Sequence, residues 1–269
     1  MNIKSNVITR NINSIASAGL AAKGLVYVLL GILAFMAAFG INGKSSRNTS
    51  KSGVFDFIYD QPAGTILLWV VVLGLVCYVI WRVIEAFADT EGKGKDVKGI
   101  LARGRYLFSG LVYGALAVKA FNMLVFHEKG SGNKSREATE ELLSQPFGQW
   151  LVGLVAFAFL AVGIYQIFYG LSEKYRKHVN KYVPAKAKPL FLNAGKIGYV
   201  ARGIVWLLFA YLFFQAAFSA NSAETGDTPQ AFSVLSQSSY GPYLLALIAV
   251  GLVFYGLFNF VRARYEEIG

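Results

Sequence analysis

The side chains that could do chemistry in this sequence fall into two sets. The first recurs near the inner ends of apolar runs: Lys23, Arg82 with Glu85 three residues on, Gln166, Arg202 and Asn259. Arg82 and Glu85 share one helical face at that spacing, so they can pair with each other or with Lys23 and Arg202 of adjacent helices. The expected setting is a solvated polar cluster at the inner membrane interface, with a gate as the alternative. The second set is Lys119 and Asn122, three apart within one apolar run, with Gln215 matching Asn122 in a later run. Lys119 is the one charged residue read at mid-membrane depth, where an unpaired lysine costs about 2.5–3.5 kcal/mol on insertion scales. It lies roughly 21 Å along a helix from Arg105. It either snorkels to the outer surface or lines a hydrated polar pocket with Asn122 and Gln215.

Neither set resembles a catalytic constellation. The two histidines, His127 and His178, fall in loops on opposite sides of a membrane, so they cannot share a metal or form a dyad. The lone cysteine, Cys77, lies inside an apolar run and reads as a packing residue. Zinc-ligand spacing, a phosphate-cradling loop and a nucleophile elbow are all missing. The expectation is a protein that is not an enzyme, with no catalytic residue, no metal site and no cofactor.

The elements that would position these groups are legible from composition. With 55% hydrophobic and 15% charged residues and a mean hydropathy of +0.47, the chain is too apolar for an ordinary soluble domain. Six apolar runs, roughly 20–40, 64–87, 106–126, 148–170, 199–219 and 241–261, each reach the ~20 residues that a helix needs to cross a bilayer. Their continuity excludes a barrel of alternating ~10-residue strands. The first run is too long for a cleavable signal and is expected to stay as an anchor. Nineteen of the 26 Lys and Arg residues flank what would be the inner ends of the spans, against six in the other loops. The positive-inside rule then puts both termini in the cytoplasm, and the net charge of +11 reads as topology and contact with anionic headgroups, not as a nucleic-acid footprint.

The six runs are three copies of a pair. Ala22-Lys23-Gly24-Leu25-Val26-Tyr27 recurs as Ala201-Arg202-Gly203-Ile204-Val205-Trp206 and, more loosely, as Phe108-Ser109-Gly110-Leu111-Val112-Tyr113. Each copy continues to a second glycine, Gly64, Gly148 or Gly241, which opens the next run. Gly24, Gly31, Gly110, Gly114 and Gly203 are expected at helix contacts, because small residues let helices approach closely where lipid removes the hydrophobic drive. Each outer loop is expected to hold a short amphipathic helix; Thr228-Pro229 has the cap and first-turn residues for the third. The organisation is a cytoplasmic lead-in (1–18), repeat 1 (19–90), repeat 2 (101–171), a basic cytoplasmic loop (172–196) and repeat 3 (197–265). In that loop Tyr175, Val179 and Tyr182 recur at helical spacing, which suggests a surface helix on anionic headgroups or a docking site, while Pro184 and Pro189 mark a linker.

The motifs Gly198-Tyr199-Val200-Ala201-Arg202-Gly203, Tyr27-x-x-x-Gly31, Pro62-x-Gly64 with Pro146-x-Gly148, and Gly74-Leu75-x-x-Tyr78 resemble a bacterial inner-membrane family built of three two-helix repeats, family 1206 among domains of unknown function. Ser109 and Ser239 depart from the basic residue and the proline of the other copies. The resemblance implies an all-α bundle of six transmembrane helices in a pseudo-threefold arrangement, located in the inner membrane, and implies no activity. The function expected is a structural or accessory subunit that binds lipid, another membrane protein or a second copy of itself. The alternative is a small-solute or ion transporter with a pocket between the repeats.

Overall fold

The computed structural model describes residues 3–41, 51–89, 92, 94, 96–127, 134–178, 184, 188–222, 225, 228–236 and 240–266, and it is helical with no strand among them. Each repeat runs long helix, short helix, long helix. The first holds α1 (Ile3–Ala38), α2 (Lys51–Tyr59) and α3 (Gly64–Ala88). The second holds α4 (Val97–Phe126), α5 (Lys134–Leu143) and α6 (Gly148–Leu171). The third holds α7 (Lys188–Ser219), α8 (Thr228–Ser236) and α9 (Gly241–Tyr265). All six long helices contain a stretch long and apolar enough to cross a membrane, in α1 from Ile12 onward. An even number of spans leaves both chain ends at one end of the bundle, the termini end. The short helices lie at the other, and α8 starts at Thr228 as its capping residues suggest.

Local sequence explains the joints. Ala63 and Phe147, each between a proline and a glycine, adopt positive φ of 60° and 62°. The following Gly64 and Gly148 lie against the carbonyl groups that end α2 and α5, where a side chain would not fit. In the third repeat, where serine replaces the proline, Tyr240 has φ −109° and the turn is of another kind. Asp96 caps α4 by accepting from the Gly99 amide at 3.0 Å. Arg103 reaches back to donate to the carbonyls of Ala86 (2.5 Å) and Phe87 (3.3 Å), groups the end of α3 leaves unpaired. The lead-in is not a separate element: α1 runs unbroken from Ile3 into the first span.

The long helices pack in the order α4, α3, α1, α9, α7, α6. Between repeats, the same positions meet. A Cβ on Gly24 would come within 2.9 Å of the Gly256 carbonyl on α9, and one on Gly203 within 2.9 Å of the Gly163 carbonyl on α6. The corresponding pair on α4 and α3 is Gly110 and Val79. Within repeats 1 and 3 a second set of small residues closes the pair: Gly74 against Ala22 and Gly19 against Tyr78, then Gly251 against Ala201 and Gly198 against Tyr255. In repeat 2 the matching positions hold Ala158 with Phe108, and Arg105 with Val162. A phenylalanine and an arginine cannot enter a helix seam built for alanine and glycine, and α4 and α6 do not form a packed pair. Phe108 and Ala158 are exposed, whereas Ala22, Ala201, Gly74 and Gly251 are buried. A hydrogen bond from Arg105 Nη1 to Tyr165 Oη (2.8 Å) spans the opening.

Two expectations change here. Gly24, Gly31 and Gly203 sit at close helix contacts, with a Cβ on Gly31 only 2.6 Å from the Ala249 carbonyl. Gly110 and Gly114 do not: a Cβ there would meet Arg82 Cβ at 3.4 Å and Val79 Cγ2 at 3.8 Å, ordinary contact distances. Val79 stands where the other copies place a glycine, and its side chain faces Gly114. The basic loop also differs. Its first part is a 3-10 turn, Lys174–His178, whose Tyr175 is buried against Tyr169, Tyr199 and Phe258 and not laid on headgroups. Pro189 falls in the first turn of α7, where proline is well tolerated. Val179 and Tyr182 lie outside the described residues.

Candidate functional site

Near the termini end, three of the long helices aim a regular stripe of side chains at one another. On α1 the stripe is Ala16, Leu20, Lys23, Tyr27, Leu30 and Ala34, all buried, with steps of four and three residues. On α3 it is Val71, Leu75, Tyr78, Arg82 and Glu85, and on α9 Leu245, Ile248, Leu252, Tyr255, Asn259 and Arg262. A helix face that is apolar over most of its length carries any polar residue on it into the core. Lys23, Arg82, Glu85 and Asn259 are therefore enclosed by protein, at 3%, 9%, 2% and 0% exposure. The expected solvated interfacial cluster is thus a buried one.

The geometry is built on tyrosines. Tyr78 Oη accepts from Lys23 Nζ (3.2 Å) and Arg82 Nε (2.9 Å) and lies 3.1 Å from Ser109 Oγ. Two cations occupy its acceptor positions, so its own proton points to the serine. The Lys23 ammonium also stands 5.1, 5.3 and 5.5 Å from the ring centres of Tyr78, Tyr113 and Tyr255, an aromatic enclosure that substitutes in part for water. Arg82 pairs with Glu85 and stacks on Trp81 at 4.1 Å. Arg202 donates from Nη1 to Tyr255 Oη (2.6 Å) and faces the Tyr27 and Tyr255 rings. Tyr113 Oη donates to Tyr27 Oη at 3.4 Å. Arg262 forms a two-pronged pair with Glu266 (2.5 and 2.9 Å), and Asn259 Nδ2 donates to the Tyr255 carbonyl (2.7 Å).

The result holds more positive charge than carboxylates to balance it, with both donors and acceptors left over. Arg82 and Arg262 each have a carboxylate; Lys23 and Arg202 have none among the described residues. Arg202 Nε, Asn259 Oδ1, Trp81 Nε1 and Gln166 Oε1 are buried without a hydrogen-bond partner. Such an arrangement can hold a negatively charged or strongly accepting group. The described residues hold no group of three or more His, Cys, Asp or Glu placed to bind a metal.

Of the residues singled out from the sequence, Lys23, Arg82, Glu85, Arg202 and Asn259 come together, while Gln166 is half-buried on α6. Lys119, Asn122 and Gln215 do not assemble into a pocket. Lys119 and Asn122 are half-buried on α4, and Gln215 is exposed on α7 beside a surface hollow lined by Tyr211, Phe214, Phe218 and Ser219 of that same helix. α4 packs on α3, and α7 on α6 and α9, which keeps the two groups apart. Sequence reasoning missed Tyr27, Tyr78, Tyr113, Tyr255, Ser109 and Arg262. The available signal was a tyrosine three or four residues from each polar member: Tyr27 after Lys23, Tyr78 before Arg82, Tyr199 before Arg202 and Tyr255 before Asn259.

Comparison with known proteins agrees with the repeat structure. The model of the family described as Domain of Unknown Function (DUF1206) matches three times, at residues 18–89, 105–173 and 197–266. An uncharacterized protein of Bacillus subtilis strain 168, YxxB, is 32% identical over 255 residues, covering 93% of this chain and 90% of that protein. No solved structure matches. Three family matches in register with three helix pairs, and a relative aligned over nearly its whole length, mean that this membrane protein belongs to the DUF1206 family.

Proposed function

We propose that the protein is a non-catalytic accessory component of the bacterial inner membrane that binds anionic lipid, with acyl chains seated between α4 and α6. The observation that carries this reading is the unpacked seam of repeat 2. Phe108 and Ala158 are exposed there, while their counterparts in repeats 1 and 3 close onto each other. Arg105 stands at the termini end of the seam, with Lys174 and Arg176 in the loop that follows α6, so basic groups lie where headgroups would be. The charge asymmetry puts this end, with both termini, in the cytoplasm. The three repeats surround a common axis in this reading. Lipid analysis of protein extracted into nanodiscs tests it. Phosphatidylglycerol or cardiolipin should co-purify above its bulk fraction, and Arg105→Gly with Phe108→Ala should reduce that retention. Equal retention by the wild type and the variant would overturn the proposal, and a protein partner retained in place of lipid would redirect it. Reporter fusions at Lys134 and at the C-terminus test the orientation.

A second reading, a transporter for a small solute, is favoured by the buried Lys23 and the half-buried Arg202 beside it, because intramembrane ionisable groups commonly mark a substrate path. Uptake into vesicles made with the purified protein is its test.

A further inference from the structure

The cluster around Tyr255 has more donors than its own acceptors can satisfy. Lys23 is 3% exposed, and among the described residues the one hydrogen-bond acceptor its ammonium finds is Tyr78 Oη, leaving further N–H groups directed at aromatic rings. Arg202 spends Nη1 on Tyr255 Oη and leaves Nε buried with no acceptor. Tyr255 Oη, having accepted from Arg202, keeps its own proton to donate. Both cations stand over the Tyr255 ring, Lys23 Nζ at 5.5 Å and Arg202 Cζ at 5.0 Å from its centre. The acids nearby are committed: Glu85 to Arg82, and Glu266 to Arg262. Lys23 is enclosed, and Arg202, half-buried as a residue, has its Nε sealed from solvent; neither has a counter-charge among the described residues, and ions taken out of water need one, together with hydrogen bonds, for the enclosure to be tolerated.

We propose that the bundle binds an oxyanion, a carboxylate or phosphate group, beside Tyr255, held by Arg202 Nε, Tyr255 Oη and Lys23 Nζ. A planar or tetrahedral oxyanion offers several lone pairs to donors arriving from two helices and a phenol, which a single-point acceptor such as water does not. The α3 side contributes no competing acceptor, since Tyr78 Oη is saturated by Lys23 and Arg82. This site is separate from the seam between α4 and α6 and does not rest on it.

The test is the thermal midpoint of the purified full-length protein in phosphatidylcholine nanodiscs. Inorganic phosphate and acetate are titrated against chloride at matched ionic strength, and a parallel set of nanodiscs contains phosphatidylglycerol. A midpoint that rises with the logarithm of phosphate or acetate concentration identifies a free anion; a rise with phosphatidylglycerol alone identifies a lipid headgroup; both support the site. Arg202→Gln should weaken the apparent affinity about tenfold or more, the loss of one charge-assisted hydrogen bond. Lys23→Met with Arg202→Gln should abolish the response. Tyr255→Phe keeps every ring contact and guards against a variant that fails to fold; it should weaken the response while lowering the anion-free midpoint only by what the loss of the Arg202 hydrogen bond costs. Native mass spectrometry of the wild type supplies a readout independent of any substitution. The proposal is overturned if no probe moves the midpoint, if the double variant responds like wild type, or if ultraviolet difference spectra reveal an ionised phenol at neutral pH that Tyr255→Phe removes. In that last case the protein would supply its own counter-charge. Closing the α4–α6 seam should leave the anion response intact, so failure of the lipid reading and failure of this one are distinguishable.

Discussion

Repeats 1 and 3 are closed pairs and repeat 2 is an open one, although all three descend from the same pattern. The difference comes down to a few residues. Where repeats 1 and 3 have Gly19 and Gly198, repeat 2 has Arg105; where they have Ala22 and Ala201, it has Phe108; where they have Tyr78 and Tyr255, it has Val162. The closed pairs also carry the buried charges, with Tyr27, Tyr78, Tyr199 and Tyr255, whereas the open pair lends the cluster Tyr113 of α4 and carries Gln166 and exposed aromatics such as Phe108 and Phe157. In a bilayer, helix association depends on backbone approach and van der Waals fit. Filling the seam at two positions is therefore enough to open a pair, and tyrosines can occupy the core of the pairs that close. A repeat freed from packing becomes available for something else.

The largest expected effect comes from giving repeat 1 the residue of repeat 2. Arg82→Gln leaves Glu85 as a buried acid without its cation, at a cost of about 3–5 kcal/mol. Gln166→Leu, at the matching place in repeat 2, removes an amide oxygen that has no partner and should change stability by less than about 1 kcal/mol. Denaturation of both variants in one detergent compares them, and equal losses would break the contrast between the repeats.

The next effect concerns the glycines between repeats. Gly203→Leu must displace Ile167 and the α6 backbone and should destabilise by roughly 1–3 kcal/mol. Gly110→Ala meets open space and ordinary contacts, so it should be neutral or stabilise by up to about 1 kcal/mol through helix propensity. Opposite signs at equivalent positions, read as shifts in melting temperature, are the outcome to look for. A loss at Gly110 comparable with that at Gly203 would mean that α4 approaches α3 more closely than the 3.4 Å between a Gly110 Cβ and Arg82 Cβ allows.

A third experiment acts on the seam itself. Arg105→Gly with Phe108→Ala restores the small residues of the closed repeats, and α4 should move toward α6. Spin labels on exposed positions of the two helices should report a distance shorter by several ångströms than in the parent protein. An unchanged distance would mean that Val162 or the neighbouring repeats, and not the two bulky residues, set the opening.

These contrasts also mark what was legible in the sequence. The six spans, the three repeats and the short helices between the long ones follow from run length, glycine spacing and cap residues, because a bilayer imposes helix length directly. The depth of Lys23 was harder to see. In a window along the chain it flanks an apolar run and reads as interfacial, and only its place on the Ala16 to Ala34 stripe carries it inward. The openness of repeat 2 was present as Arg105 and Phe108, but it becomes visible when the three copies are compared at the positions that touch. The spacing at Gly110 depends on α3 of another repeat, whose Arg82 Cβ is what a Gly110 side chain would meet, and no local pattern around the glycine contains that information.

The smallest expected effect tests how α6 stays with repeat 3 after losing α4. Tyr175, in the turn between α6 and α7, lies buried against Tyr169 of α6, Tyr199 of α7 and Phe258 of α9, and its hydroxyl donates to the Leu192 carbonyl at 2.7 Å. It acts as a pin joining the open repeat to the closed one. Burial, with the Glu173 carboxylate adding to it, pushes the phenol from its ordinary value of 10.0 up to about 12. The folded protein thus holds the proton more tightly than the unfolded chain. The pin is fully engaged below pH 10, and because the unfolded state gives up its proton first, stability falls as pH rises from 10 through about 12. Tyr175→Phe keeps the ring contacts and removes both the hydrogen bond and the titration. At neutral pH it should cost about 1 kcal/mol. That gap should narrow between pH 10 and 12, as the wild type weakens for a reason the variant lacks. Subtracting the two denaturation curves cancels the titration of every other tyrosine and lysine. A gap that stays constant across the window would mean that Tyr175 ionises as freely in the folded protein as in the unfolded chain, and the attachment of α6 would then rest on its direct contacts with α7, among them Gly163 with Gly203 and Phe159 with Trp206.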